Sequence, residues 1–109
     1  MTESEIQRAV FNELKSRAMP GALYWHTPND PSSRRKVGYR AGVSDVVAVH
    51  GGEFFALELK IEKGGVISDE QMEFRAAVRR AGGHAEIAEG LDEALCFLEK
   101  WNILRPEAA

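Results

Sequence analysis

Cysteine is nearly absent. Cys96 is the single thiol in 109 residues, so this chain can build neither an internal disulfide nor a thiolate metal cage. The apolar, helix-spaced setting of Cys96 assigns it to the core. Long apolar runs are missing too: stretches such as Val46 to Val49 and Phe54 to Leu57 fall far short of the roughly 20 residues that cross a bilayer. A spanning helix is thereby excluded. The first ten residues, MTESEIQRAV, carry two early acids and no basic stretch leading into an apolar one. They do not read as a secretory leader, and a cytoplasmic location is expected. No internal repeat and no linker breaks the chain. Its length suits one domain, residues 1–109, with one main site. Hydrophobic residues at 44% and charged residues at 28% fit a soluble globular protein and exclude a disordered or fibrous one.

Positive charge is also in short supply, with 14 Lys and Arg against 17 Asp and Glu for a net −3. That total argues against a nucleic-acid partner until its distribution is considered. Between Thr27 and Ala41 stand Arg34, Arg35, Lys36 and Arg40 against the single acid Asp30, so this stretch carries +3 and the remainder −6. A basic loop on an acidic body suits local phosphate binding, and a solvated surface loop is the plainer alternative.

Ile6, Val10, Phe11 and Leu14 recur at helical spacing over Glu3 to Arg17, and Pro20-Gly21 stops them. Ala22 to His26 reads as a short strand. Thr27 to Gly42 is then polar and aperiodic, a loop of about 16 residues, and loops of that length are usually functional or disordered. Strands follow at Asp45 to His50 and Glu53 to Ile61, joined by Gly51-Gly52, a two-residue hairpin signal. A helix from Asp69 to Ala81, a strand from His84 to Ala88 and a helix from Asp92 to Trp101 complete the order, and the tail after Leu104 should fray. The order α-β-β-β-α-β-α describes an α/β (α+β) fold, a small mixed β-sheet flanked by helices. Trp25 and Trp101 read as core or interface anchors, and His50 and His84 as structural.

The hairpin serves as a ruler. If Gly51 and Gly52 form the turn, opposed residues have numbers adding to 103, and Asp45 faces Glu58. Directly opposed residues on antiparallel strands have β-carbons about 4.5–5.5 Å apart, so two carboxylates there repel unless a positive charge lies between them. A divalent cation supplies it, and hard oxygen ligands suit magnesium or manganese. Period two places Phe54, Ala56, Glu58 and Lys60 on one face and Phe55, Leu57, Leu59 and Ile61 on the other. Lys60 then stands where it can hold a water or stabilise charge on a phosphate. An isolated Glu-x-Lys is ordinarily a pair of exposed charges blunting a sheet edge, and the opposed Asp45 sets this one apart.

Gly42-Val43-Ser44-Asp45, Glu58-Leu59-Lys60 after a Gly-Gly hairpin, Ser68-Asp69-Glu70-Gln71 opening a helix, and Glu3-Ser4-Glu5-Ile6-Gln7 on the first helix together resemble the PD-(D/E)xK nuclease superfamily. Within it they are most similar to the virus-type replication-repair nuclease (VRR-NUC) branch, in its short stand-alone phage and bacterial form. The resemblance runs from Glu3 to about Glu99 and departs from the superfamily name in having Ser44 before Asp45. It implies a restriction-endonuclease-like core and a Mg2+- or Mn2+-dependent endonuclease that cuts DNA, leaving a 5′ phosphate and a 3′ hydroxyl. Stand-alone members imply a homodimer acting on four-way (Holliday) junctions. By the same resemblance Asp45 and Glu58 match the metal-binding carboxylates, and Lys60 matches the lysine that orients or deprotonates water. The first-helix acid is Glu3 or Glu5. Thr2 and Glu5 form a capping-box pattern, which gives Glu5 a structural task and favours Glu3 as a metal ligand. Gln71 likewise suits a helix cap, active-site support, or both. Arg34, Arg35, Lys36 and Arg40 would contact phosphates. Tyr39 or His26 would stack on a base or sugar, although a polar surface position is the commoner fate of such a histidine. A less selective flap, branch or duplex nickase and a catalytically silent nucleic-acid binding module are the competing readings.

Overall fold

The computed structural model describes residues 1–28, 32 and 36–107. Helix α1 (Glu3–Arg17) begins where Thr2 caps it. The Thr2 hydroxyl accepts the Glu5 N–H at 3.1 Å and the Glu5 carboxylate accepts the Thr2 N–H at 2.8 Å, which satisfies donors that a helix start leaves open. Ile6, Val10 and Leu14, one turn apart, form its buried stripe. The chain continues through β1 (Leu23–His26), β2 (Val46–His50), β3 (Glu53–Lys60), α2 (Asp69–Arg80), β4 (His84–Glu89) and α3 (Leu91–Lys100). The four strands form one sheet in the order β1-β2-β3-β4, antiparallel except for the parallel pair β3 and β4. Helix α2 supplies the crossover that a parallel pair needs. This is the mixed, helix-flanked α+β architecture expected from the sequence, with element ends shifted by a residue or so.

Gly51 and Gly52 have φ of +60° and +79°, the left-handed pair that a type I′ two-residue turn requires. His50 therefore faces Glu53 and Val46 faces Leu57, which is the register read from the sequence. Strand β3 is central, hydrogen-bonded on both sides. Its Phe55, Leu57 and Leu59 join Val46 and Ala48 in the larger core beneath α1 and α3. On the other face Val47, Ala56 and Ala85 pack with Val78 of α2 in a much smaller cluster. Glu58 and Lys60 share that second face and are only 4% and 8% exposed. Exposed charges on an edge strand, the plain reading of this pair, are thereby excluded.

Two expectations are corrected. Cys96 is exposed, not core: α3 turns Ala94 and Leu98 inward, and a residue two positions from each is rotated about 200° away from that stripe. Of the two readings of Trp25, core or interface anchor, its 41% exposure on β1 excludes the core. The chain past Leu104 is held at least to Arg105, whose N–H donates to the Arg17 carbonyl at 2.8 Å and whose guanidinium donates to the Ser16 carbonyl at 3.2 Å. The neighbouring Ile103 and Leu104 are fully buried, so the end of the chain closes the core. Leu57, 1% exposed in the middle of the larger core, should tolerate truncation poorly. Leu57→Ala is expected to lower stability by about 2–5 kcal/mol in urea unfolding, and a loss below about 1 kcal/mol would contradict this packing.

Candidate active site

Asp45 precedes β2 by one residue, one step beyond the last ladder pair, Val46 and Leu57. The register thus brings it level with Glu58. Its Oδ2 accepts the Leu59 N–H at 2.9 Å, which fixes the carboxylate against the β3 backbone. The approach to Asp45 is set by Gly42. Its φ is +79°, and a β-carbon there would lie 2.7 Å from the Gln71 backbone nitrogen and closer still to the Glu70 carbonyl. Only glycine lets the incoming loop lie against the first turn of α2. The result is a polar cleft of about 480 Å³ lined by Tyr39, Asp45, Glu58, Lys60, Ser68 and Gln71 among others.

Burial works against the charged form of Glu58. Desolvation first, then the hydrogen bond with Asp45 and the charge of Asp45, push its carboxyl up to about 9, while Lys60 opposes the shift. The Lys60 Nζ stands 3.9 Å from Glu58 Oε2 and 4.0 Å from Glu3 Oε1, too far for direct hydrogen bonds. One ammonium therefore sits between acids without neutralising the Asp45–Glu58 pair. The donor set is all oxygen, partly buried and short of positive charge, which is the complement of a hard divalent cation. Magnesium usually takes one or two carboxylates from a protein, and this pair meets that number. Asp45 and Glu58 would hold such an ion.

The structure gathers Asp45, Glu58, Lys60, Gln71 and Tyr39 around this cleft. Glu3, exposed on the first turn of α1, reaches toward Lys60. Among the described residues no three His, Cys, Asp or Glu side chains converge as a metal site. Glu5 is engaged in the Thr2 cap, whose hydrogen bonds hold its carboxyl below the usual range. Gln71 both caps and lines: its Oε1 accepts the Ser68 N–H at 3.0 Å, and its own N–H donates to the Ser68 hydroxyl at 3.1 Å. Lys36 is exposed, and the Arg40 guanidinium lies 5.8 Å over the Phe74 ring. Arg34 and Arg35 lie outside the described residues.

One contact escaped the sequence reading. The Gln7 side-chain nitrogen lies 2.7 Å from His26 Nδ1 and 3.0 Å from Nε2, and Nδ1 is 3.0 Å from the Asp45 carbonyl oxygen. A single proton arrangement serves both neighbours: Nδ1–H donates to Asp45 and Nε2 accepts from Gln7. The Thr27 N–H donates to the same carbonyl at 3.1 Å. His26 is thus a latch between α1 and the backbone of Asp45. The partners are distant in sequence, and Gln7 and His26 carry no pattern of their own that could have announced the contact.

Two outcomes follow. Glu58 keeps a proton in the folded chain that an ordinary carboxyl, at 4.5, has lost on unfolding. Its contribution is therefore most favourable below pH 4.5 and is lost progressively as pH rises through about 9. Metal-free protein should lose melting temperature across that window, and Glu58→Gln should flatten the loss; parallel curves for the two proteins would refute the assignment. Gly42→Ala should cost about 1–3 kcal/mol from its positive φ alone, with the overlap on α2 adding to it. An unchanged melting temperature would show that the loop does not lie where described.

No family model matches the sequence, and no curated protein matches it. The fold does have a counterpart: a solved structure named "VRR_NUC domain protein" superposes with a TM-score of 0.80 over 93% of this chain and 88% of that one, at 22% sequence identity. The chain carries the fold of a VRR_NUC domain.

Proposed function

We propose that the chain works as one nuclease domain, a Mg2+- or Mn2+-dependent endonuclease that hydrolyses phosphodiester bonds of DNA in the cytoplasm. The observation that carries this reading is the placement of Asp45 and Glu58 side by side, with Lys60, in one partly buried polar cleft. A small sheet gains no stability from acids held this close, and groups with perturbed ionisation in a cleft mark functional sites. The likeness in fold to a VRR_NUC domain protein supports nuclease chemistry at that cleft. No helix among the described residues is long and apolar enough to cross a membrane.

Asp45 and Glu58 hold the divalent ion, and Glu3 stands at the rim as the acid that Lys60 shares with them. When bound, the ion would neutralise charge on the scissile phosphate and make nearby water more acidic. The Lys60 ammonium orients the attacking water and offsets the negative charge that develops on the phosphate. Gln71 holds the start of α2 against the cleft. Arg34, Arg35, Lys36 and Arg40 contact phosphates beside the cut, with Tyr39 against a sugar or base. The products are a 5′ phosphate and a 3′ hydroxyl.

The preferred substrate is a four-way junction, cut by a homodimer. One copy carries one cleft, whereas a junction needs two symmetric nicks. Strand β1 is an open edge without an acid, lysine or proline to blunt it, and its Leu23 and Trp25 are 61% and 41% exposed. Two β1 edges meeting about a two-fold axis would cover that surface and present both clefts.

Purified protein should nick labelled four-way junctions in symmetric pairs with magnesium or manganese and leave them intact with chelator. Lys60→Met should slow cutting by about 10²-fold or more. Equal cutting of flaps and linear duplex would replace the junction enzyme with a less selective nickase. Absence of metal-dependent cutting on every substrate would leave a silent binding module.

A further inference from the structure

A second opening lies on the α2 side of the sheet, outside the catalytic cleft. It measures about 360 Å³, and Phe54, Phe74, Ala77, Ala81 and Gly83 contribute to its apolar lining; among the described residues its only charged one is Arg40. The hollow exists because this face is thinly packed. Four buried residues make up its core, and Phe54 and Phe74 keep part of their surfaces open.

Arg40 stands at the mouth in an unusual state. The adjoining hollow that it also lines contains Asp69, Glu70 and Glu73, yet Arg40 makes no ion pair with any of them. Its guanidinium faces the Phe74 ring, at 5.8 Å from the centroid, a loose cation–π arrangement. The guanidinium thus covers an aromatic face, and among the described residues it makes no ion pair. Arg40 also connects the two openings, since its chain neighbours Tyr39 and Ala41 line the catalytic cleft. Phe54 of the opening and Glu58 of the cleft lie four residues apart on one face of β3, about 13 Å at the rise of a strand, a span that one bound strand can cover.

Resting on the nuclease reading above, we infer that this opening is a binding pocket for one unpaired nucleobase beside the cut. Phe74 is the stacking surface. Arg40 gives up the ring when the base enters and takes the adjoining phosphate, for which its planar fork of donors is suited. A base within a duplex has both faces covered by its neighbours, so only an unstacked one can use Phe74. Apart from Arg40 the lining side chains carry no polar group to read a base edge, so the pocket selects structure and tolerates sequence.

Binding can be read without cutting if calcium replaces magnesium, because it accepts the same oxygen ligands. The probe is a junction carrying 2-aminopurine, whose fluorescence reports stacking, either unpaired at the branch or paired in an arm. Wild-type protein should change the emission of the unpaired probe and leave the paired one nearly unaffected. Phe74→Leu should abolish that change and weaken binding of the unpaired-base junction about tenfold, with duplex affinity kept within about twofold. Ala77→Leu, which fills the opening while Phe74 remains, should act in the same way and serves if Phe74→Leu does not fold. Folded variants of both kinds that retain the wild-type response and preference would overturn the pocket while leaving the nuclease reading intact. A wild-type protein that binds none of these DNAs would overturn both.

Discussion

Two carboxyl groups, Asp45 and Glu58, are held within each other's field and largely out of water, and much of this small fold keeps them there. The Gly51-Gly52 turn sets the register that brings them level. The central position of β3 removes Glu58 from solvent, and the Leu59 N–H pins the Asp45 carboxylate to that strand. Such an arrangement costs stability, because burial and a neighbouring acid both disfavour charge. The cost is borne by the opposite face of the sheet, where Leu57, Leu59, Ile6, Val10 and Leu98 belong to the larger core. The division of labour is visible in the packing: one face carries the larger core, whereas the other carries a smaller cluster and the cleft.

Both helices that approach the cleft do so through their first turns. The Thr2–Glu5 box fixes the start of α1, so that Glu3 can reach toward Lys60. The Ser68–Gln71 box fixes the start of α2, against which Gly42 lies. A capping box therefore has a second consequence here, as the local hydrogen bonds that start each helix also locate residues at the site. The Gln7–His26–Asp45 latch ties α1 to the backbone of Asp45, just ahead of β2. Helix α1 thus contributes an acid to the rim and a brace to the backbone.

The sequence disclosed what depends on local rules. Apolar spacing at Ile6, Val10 and Leu14 located α1, and a Gly-Gly dipeptide between two apolar runs specified the hairpin and hence the facing of Asp45 and Glu58. Both caps were legible because a capping box spans four consecutive residues. What depends on long-range packing was not legible. The outward rotation of Cys96 reflects which stripe of α3 meets the core, and periodicity over ten residues of mixed apolar character left that stripe ambiguous. The anchoring of Arg105 and the His26 latch join residues far apart in the chain. The pocket beside Phe74 is built by residues of β3, α2 and the turn before β4, and no motif encodes it.

The proposed function rests on Asp45 and Glu58 holding a divalent cation. Manganese binding followed by electron paramagnetic resonance, without DNA and without reference to turnover, tests it most directly. Saturable binding by the wild-type chain, abolished in both Asp45→Asn and Glu58→Gln while each variant stays folded, is the expected result. Binding that survives both substitutions, or a wild-type protein that takes up no manganese, would contradict it.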